Sequence, residues 1–288
     1  MSEYYFNIYC KEENNLNKIT FVGAGSMAEA IIAGITSKKY LPSESIYVTN
    51  NTNQERLNDL AKNYQVTVSY DKNILFNHSD IIVLSMKPKD VTAALKSVKP
   101  LLHENQLVLS VLAGVSTDFI SNQLGTKNPV IRAMPNTSAT IGQSATSIAA
   151  GKYATNTHVQ QVDSLLNAIG TTTIVEESQL DLITALAGSG PAYLYYTIES
   201  MQEAASQAGL DEAISKELIL QTLVGVTEML KTTSETPSTL REKITSPGGT
   251  TEAGVKVLQN YGYQEALIAC VNKAAERSQE LRSFLESK

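Results

Sequence analysis

The stretch Lys18-Ile19-Thr20-Phe21-Val22-Gly23-Ala24-Gly25-Ser26-Met27-Ala28 decides the fold. Its first half is a short apolar, β-branched run. Its second half, continued by EAIIAGI, repeats apolar residues at helical spacing through Met27, Ala30, Ile31 and Gly34. Strand, tight turn and helix therefore follow one another, and the turn fits the pattern G-x-G-x-x-G/A. In that pattern Gly23 permits the bend and Gly25 lets the backbone approach a pyrophosphate. Ala28 allows close packing of helix on strand, with the anion on the N–H groups that open the helix.

Downstream, Ser45–Thr49, Val66–Ser69, Asp80–Met86, Leu107–Ala113, Pro129–Asn136 and Ala145–Ala150 read as further strands. Helical patterns lie over Glu55–Tyr64 and Asp90–Val98. Continuous apolar strands alternating with helices predict a parallel, doubly wound α/β sheet covered on both faces. From about Glu176 the alternation stops, and helices are expected over Leu180–Ala208, Asp211–Lys231, Ser238–Ile244, Thr251–Asn260 and Gln264–Leu285. The first of these is broken at Gly188–Pro191. The expected organisation is a polar extension over 1–17, a dinucleotide-binding Rossmann domain over 18–175 and an all-α domain over 176–288. Asp211–Lys231 carries apolar residues on too many sides for a helix covered on one face. It is buried either against a second subunit or in the middle of its own domain.

Composition narrows the function. The 288 residues carry 23 basic and 29 acidic side chains, a net charge of -6, which argues against a protein built to grip nucleic acid. The imbalance is local: residues 1–172 hold 14 basic and 13 acidic side chains, residues 173–288 hold 9 and 16. Cys10 and Cys270 form no disulfide framework or metal motif, and reduced thiols in the cytoplasm are expected. His78, His103 and His158 are scattered, so neither a metal site nor a Ser-His-Asp triad is expected. No apolar run is long enough to span a membrane, and the first residues lack the pattern of a secretory signal.

The end of the second strand selects the cofactor. Thr49-Asn50-Asn51-Thr52-Asn53-Gln54-Glu55-Arg56 lacks the early carboxylate that reads the ribose of NAD. Amides, hydroxyls and Arg56 accept a 2′-phosphate, so NADPH is expected ahead of NADH. A second glycine motif, Ser246-Pro247-Gly248-Gly249-Thr250-Thr251, bends just before a helix and offers backbone N–H groups and hydroxyls, an arrangement suited to a carboxylate.

These motifs, together with Met86-Lys87-Pro88, Leu112–Val115, Ile131–Thr137 and Ala187–Tyr193, resemble those of the pyrroline-5-carboxylate reductases. The resemblance runs from Lys18 to the C-terminal helices. It implies a Rossmann domain, a helical domain that interlocks two subunits as a homodimer or a higher oligomer, and NAD(P)H-dependent reduction of a cyclic imine to proline. Carried over by position, it assigns the cofactor to Gly23, Gly25, Ser26, Met27, Asn50, Asn51, Lys87, Pro88, Ala113, Gly114, Met134, Pro135 and Asn136. It assigns the substrate to Ser246, Gly248, Gly249, Thr250 and Thr251, in a loop that the family completes with helices of both subunits. The N–H groups from Gly248 to Thr251 and the Ser246 hydroxyl are expected to hold the substrate carboxylate. Thr251, with Thr250 as the other candidate, is expected to hydrogen-bond the ring nitrogen and act as the catalytic residue. Three positions depart from the family: Ser85, Lys72 in place of an asparagine before Asp80, and the first seventeen residues. A β-hydroxyacid dehydrogenase would need an acid/base lysine in the second domain, and Lys216 lacks that setting. A non-catalytic NADP-binding paralogue is the other rival, against which the intact SPGGTT argues.

Overall fold

The computed structural model describes residues 16–287, so most of the polar extension, Cys10 included, lies outside the described residues. Among the described residues eight strands form one sheet: β1 (Ile19–Val22), β2 (Ile46–Thr49), β3 (Thr67–Val68), β4 (Ile81–Leu84), β5 (Leu107–Ser110), β6 (Val130–Met134), β7 (Ser144–Ala150) and β8 (Gly170–Ile174). Their order is β3-β2-β1-β4-β5-β6-β7-β8. All neighbours are parallel except β6 and β7. Chain direction across the sheet reverses between β1 and β4, and their register brings Val22 beside Leu84 and Thr49. Open α/β sheets bind ligands at such a switch point, beyond the carboxyl ends of the strands.

Alternation along the strands divides the core. Ile19, Phe21, Ile81, Val83, Leu107 and Leu109 pack on one face, and Ile82, Leu84 and Val108 on the other. All four residues of β4 are fully buried, each worth roughly 1.5–3 kcal/mol relative to exposure. This two-sided burial is why the strands read as unbroken apolar runs.

The covering helices are α1 (Ser26–Ser37), α2 (Gln54–Tyr64), α3 (Lys72–Phe76), α4 (Val91–Val98), α5 (Thr117–Leu124) and α6 (Asn156–Leu166). Ala28 has no exposed surface, which lets α1 lie close on the sheet. Asn53 caps α2 by accepting from the Arg56 N–H, and left-handed Gln65 ends it. The sequence pattern assigns no element to α3, α5, α6 or β8. α3 is one turn begun by Asp71, and β8 is a threonine-rich edge strand whose alternation is polar.

Contacts divide the chain into two compact units, one running to Gly188 and resuming at Ala275, the other spanning Ser189–Ala274. The strand-helix alternation ends at Glu176. Packing continues past it because Leu180, on the short helix α7 (Leu180–Ile183), buries against Met134 and Ala149. The expected break at Gly188–Pro191 is a π-helical turn over Thr184–Gly188 followed by α8 (Gly190–Gln207), with Pro191 in its first turn, where a missing N–H costs nothing.

The second unit holds α8, α9 (Glu212–Thr232), α10 (Pro237–Lys243), α11 (Thr250–Asn260) and the start of α12 (Tyr263–Glu286). Only Ser215 and Ile219 of α9 are buried. Ile214, Leu218, Leu220, Val224, Val226, Met229 and Leu230 are each 40–57 % exposed. The reading that places this helix in the middle of its own domain therefore does not hold within one chain.

Candidate active site

The dinucleotide turn sits on the carboxyl end of β1. Gly23 has φ +118°, and its N–H donates to the Thr49 carbonyl at 2.9 Å. A Cβ there would stand 2.4 Å from the Ser85 carbonyl carbon, so only glycine fits. Ser85, one of the departures from the family, donates from Oγ to the Gly23 carbonyl at 3.0 Å and so ties the turn to β4. At Gly25 the nearest atom to an added Cβ is 3.9 Å away, leaving the backbone open to a ligand. Gly25 caps α1 without a side-chain bond, and the Ser26 and Met27 N–H groups of the first turn have no acceptor among the described residues. A bare helix start beside an open glycine suits a pyrophosphate.

Around the turn the expected residues divide into free and committed groups. Asn51 and Lys87 are exposed and make no side-chain bond among the described residues. Asn50 is committed to its loop: it accepts from the Asn53 N–H and the Tyr70 hydroxyl and donates to the Asn53 carbonyl. Arg56 donates from Nε to the Ala24 carbonyl at 2.9 Å and from Nη2 to Glu29 at 2.5 Å, which holds its guanidinium at the turn. Pro88 opens a single 3₁₀ turn after Lys87. Lys72 is exposed in the first turn of α3, away from any described partner.

On the other side of the switch point, Gly114 has φ +68° and lies against the end of α12, 3.4 Å from Arg282 N when given a Cβ. Ala113 beside it is exposed. Met134, Pro135 and Asn136 are buried at the end of β6. Asn136 donates from Nδ2 to the Ala187 carbonyl at 3.0 Å, linking this segment to the AGSGPAY motif.

Beneath this segment lies a charge cluster that sequence reading missed. Arg132 is fully buried, with Nη1 3.6 Å from Glu177, too far for a hydrogen bond, so the attraction is coulombic. Burial lowers the Arg132 pKa, opposed by Glu177 and Asp181. Glu177 accepts from the Thr117 N–H and hydroxyl. Asp181, also buried, accepts from the Ser278 hydroxyl at 2.7 Å and pairs with Arg282 at 3.0 Å. The signal available was an arginine inside an otherwise apolar strand, VIRAM.

The Ser246–Thr251 loop, expected to hold a carboxylate, lies in the second unit, ahead of α11. Gly248 takes φ +75°, and Gly249 is the N-cap, again without a side-chain bond. The four expected backbone donors reduce to two. The Gly248 N–H is taken by Glu252 at 2.7 Å and the Gly249 N–H by the Ser246 carbonyl at 3.0 Å, because the bend closes on itself. The Thr250 and Thr251 N–H groups have no acceptor among the described residues. Nor do the hydroxyls of Ser246, Thr250 and Thr251 have a partner there.

A doubly wound sheet with an uncapped glycine turn at its switch point defines a dinucleotide-binding α/β protein. Residues 18–114 match the family described as NADP oxidoreductase coenzyme F420-dependent, and residues 177–281 match the family described as pyrroline-5-carboxylate reductase dimerisation. Pyrroline-5-carboxylate reductase 2 of Bacillus subtilis (strain 168) is 48 % identical over 93 % of this chain and 96 % of its own. The pyrroline-5-carboxylate reductase of Staphylococcus haemolyticus is 37 % identical over 92 % and 97 %. Among solved structures, the Coxiella burnetii reductase superposes with a TM-score of 0.84 at 34 % identity, covering 93 % of this chain and 99 % of that one. The Plasmodium falciparum pyrroline carboxylate reductase, solved with NADP bound, gives 0.85 at 29 %, with the same coverage. The chain belongs to the pyrroline-5-carboxylate reductase family.

Proposed function

We propose that the chain reduces 1-pyrroline-5-carboxylate to L-proline with NADPH, the last step of proline biosynthesis, as a cytoplasmic homodimer joined through its C-terminal helices. The observation that carries this reading is the SPGGTT loop. Two N–H groups and three hydroxyls without a partner among the described residues stand on six residues, matching a small carboxylate beside a ring nitrogen.

The residues of the dinucleotide turn fit the cofactor: Gly25, Ser26 and Met27 would hold the pyrophosphate, and Arg56 and Asn51 the 2′-phosphate. Lys87, Pro88, Ala113, Gly114 and Met134–Asn136 would line its nicotinamide half. When bound, the cofactor supplies the hydride that adds to the imine carbon. The chain's own work is positioning. The Thr250 and Thr251 N–H groups and the Ser246 hydroxyl hold the carboxylate and fix the ring, which turns an encounter into an oriented attack. The C=N electron pair passes to a nitrogen that is already protonated, giving a secondary amine. Thr251 Oγ accepts a hydrogen bond from that N–H and keeps the proton in place, so no histidine or lysine acid is required. The exposed apolar side of α9 and the dimerisation-family match support the homodimer, and no described helix is long and apolar enough to cross a membrane.

The purified protein, assayed for NADPH oxidation with pyrroline-5-carboxylate and separately with 3-oxoacids, tests the reading. Turnover of the cyclic imine alone is expected. Turnover of a 3-oxoacid would indicate the hydroxyacid dehydrogenase chemistry, and none with either substrate a non-catalytic paralogue.

A further inference from the structure

The carboxylate loop already contains a carboxylate. Glu252 Oε2 accepts from the Gly248 N–H at 2.7 Å, and Glu252 Oε1 meets Lys256 Nζ at 3.0 Å, one turn along α11. The Gly248 N–H, and after it Lys256, hold the Glu252 carboxyl below the usual carboxylate range. A fixed negative charge therefore lies within a few residues of the groups left for the substrate, in the half of the chain where acids already outnumber bases by 16 to 9.

We propose that Glu252 and Lys256 form a charge pair that sets the affinity of the loop for its anionic substrate. The inference rests on the reading of Ser246–Thr251 as the carboxylate site. Glu252 closes the bend by occupying the Gly248 N–H, and its charge opposes the incoming carboxylate. Lys256, paired with the other oxygen of Glu252, offsets that opposition. Substrate and product carry the same carboxylate, so Glu252 weakens the hold on both and favours release of product, and Lys256 limits that loss. The exposures are 33 % for the Glu252 side chain and 63 % for Lys256, so water screens the effect without removing it.

Glu252 also occupies the position from which a glutamate can reach back to brace a helix start, a purely structural role. Two variants separate the roles. Glu252→Gln keeps an amide oxygen for the Gly248 N–H and deletes the charge, whereas Lys256→Met leaves the brace and exposes the charge. The charge pair predicts opposite shifts in KM for pyrroline-5-carboxylate: down about two- to fivefold in E252Q and up by a similar factor in K256M. It also predicts that both shifts shrink as ionic strength rises. A brace alone predicts KM unchanged or raised in E252Q, with no dependence on salt, and that result overturns the inference. Titration with L-proline is the second readout, with E252Q binding it more tightly and K256M less. A wild-type protein that neither turns over the imine nor binds L-proline overturns the loop assignment and this inference together. A wild-type protein that turns over while KM in E252Q and K256M moves in the same direction overturns this inference alone.

Discussion

The Arg56 guanidinium and the Glu29 carboxylate stand 2.5 Å apart across the dinucleotide turn, while Arg56 Nε donates to the Ala24 carbonyl inside the turn. One side chain thus braces the glycine segment and presents positive charge where the second strand ends. Arg56→Ala is expected to weaken NADPH binding about tenfold more than NADH binding, since a charge-assisted bond to phosphate is worth about 1.5–3 kcal/mol. Dissociation constants for the two cofactors check this. Equal losses for both would reduce Arg56 to a brace.

A substitution at Thr251 is expected to separate chemistry from cofactor binding. Its N–H and hydroxyl have no described partner, and its unit is distinct from the one that carries the dinucleotide turn. Thr251→Ala is expected to lower kcat about tenfold or more, the scale of one hydrogen bond to a charged group, with the Kd for NADPH nearly unchanged. Thr250→Ala made alongside tells which hydroxyl serves the nitrogen, and a wild-type kcat in T251A removes its catalytic role.

Asp181 anchors the end of α12 through Ser278 and Arg282 and faces the buried Arg132. Removing one member of a buried charge cluster leaves the others uncompensated. Asp181→Ala should therefore lose about 3–5 kcal/mol of unfolding free energy, and Asp181→Asn less, because its amide oxygen still accepts from Ser278. Denaturant titration provides the comparison, and a loss in D181A below about 1 kcal/mol contradicts the cluster's role.

His158 makes stability depend on pH. Its Nδ1 accepts from the Thr155 N–H, and burial lowers its pKa, so the folded chain takes up the proton less readily than a free imidazole does. The unfolded chain then binds the proton more readily, so stability rises with pH up to about 6.5 and falls as the solution is acidified below that value. His158→Gln should flatten the thermal-midpoint profile below about pH 6.5. An unaltered slope assigns the acid sensitivity elsewhere.

Much of this architecture was legible because local and tertiary signals agree. β1, β4 and β5 are buried on both faces, and the G-x-G turn stands where strand becomes helix. α5 and α6 went unread: α5 is only two turns long, and α6 is amphipathic with its apolar residues evenly offset by polar ones. The site residues were legible as types and less so as partners. Nothing in the sequence shows that Glu252 takes the Gly248 N–H, or that Asn136 turns to the Ala187 carbonyl, because both depend on how the chain bends back. Arg132 was visible and unassigned, since its partners Glu177 and Asp181 come from a segment far along the chain.

The central claim is hydride transfer to the carbon of a cyclic imine acid. NADPH carrying deuterium at both C4 positions of the nicotinamide, incubated with the protein and pyrroline-5-carboxylate, tests it most directly by mass spectrometry of the product. The account predicts L-proline bearing one deuterium on the ring CH2 next to nitrogen, the former imine carbon, formed in step with the NADPH consumed. Proline without deuterium, or NADPH consumed without proline formed, would contradict it.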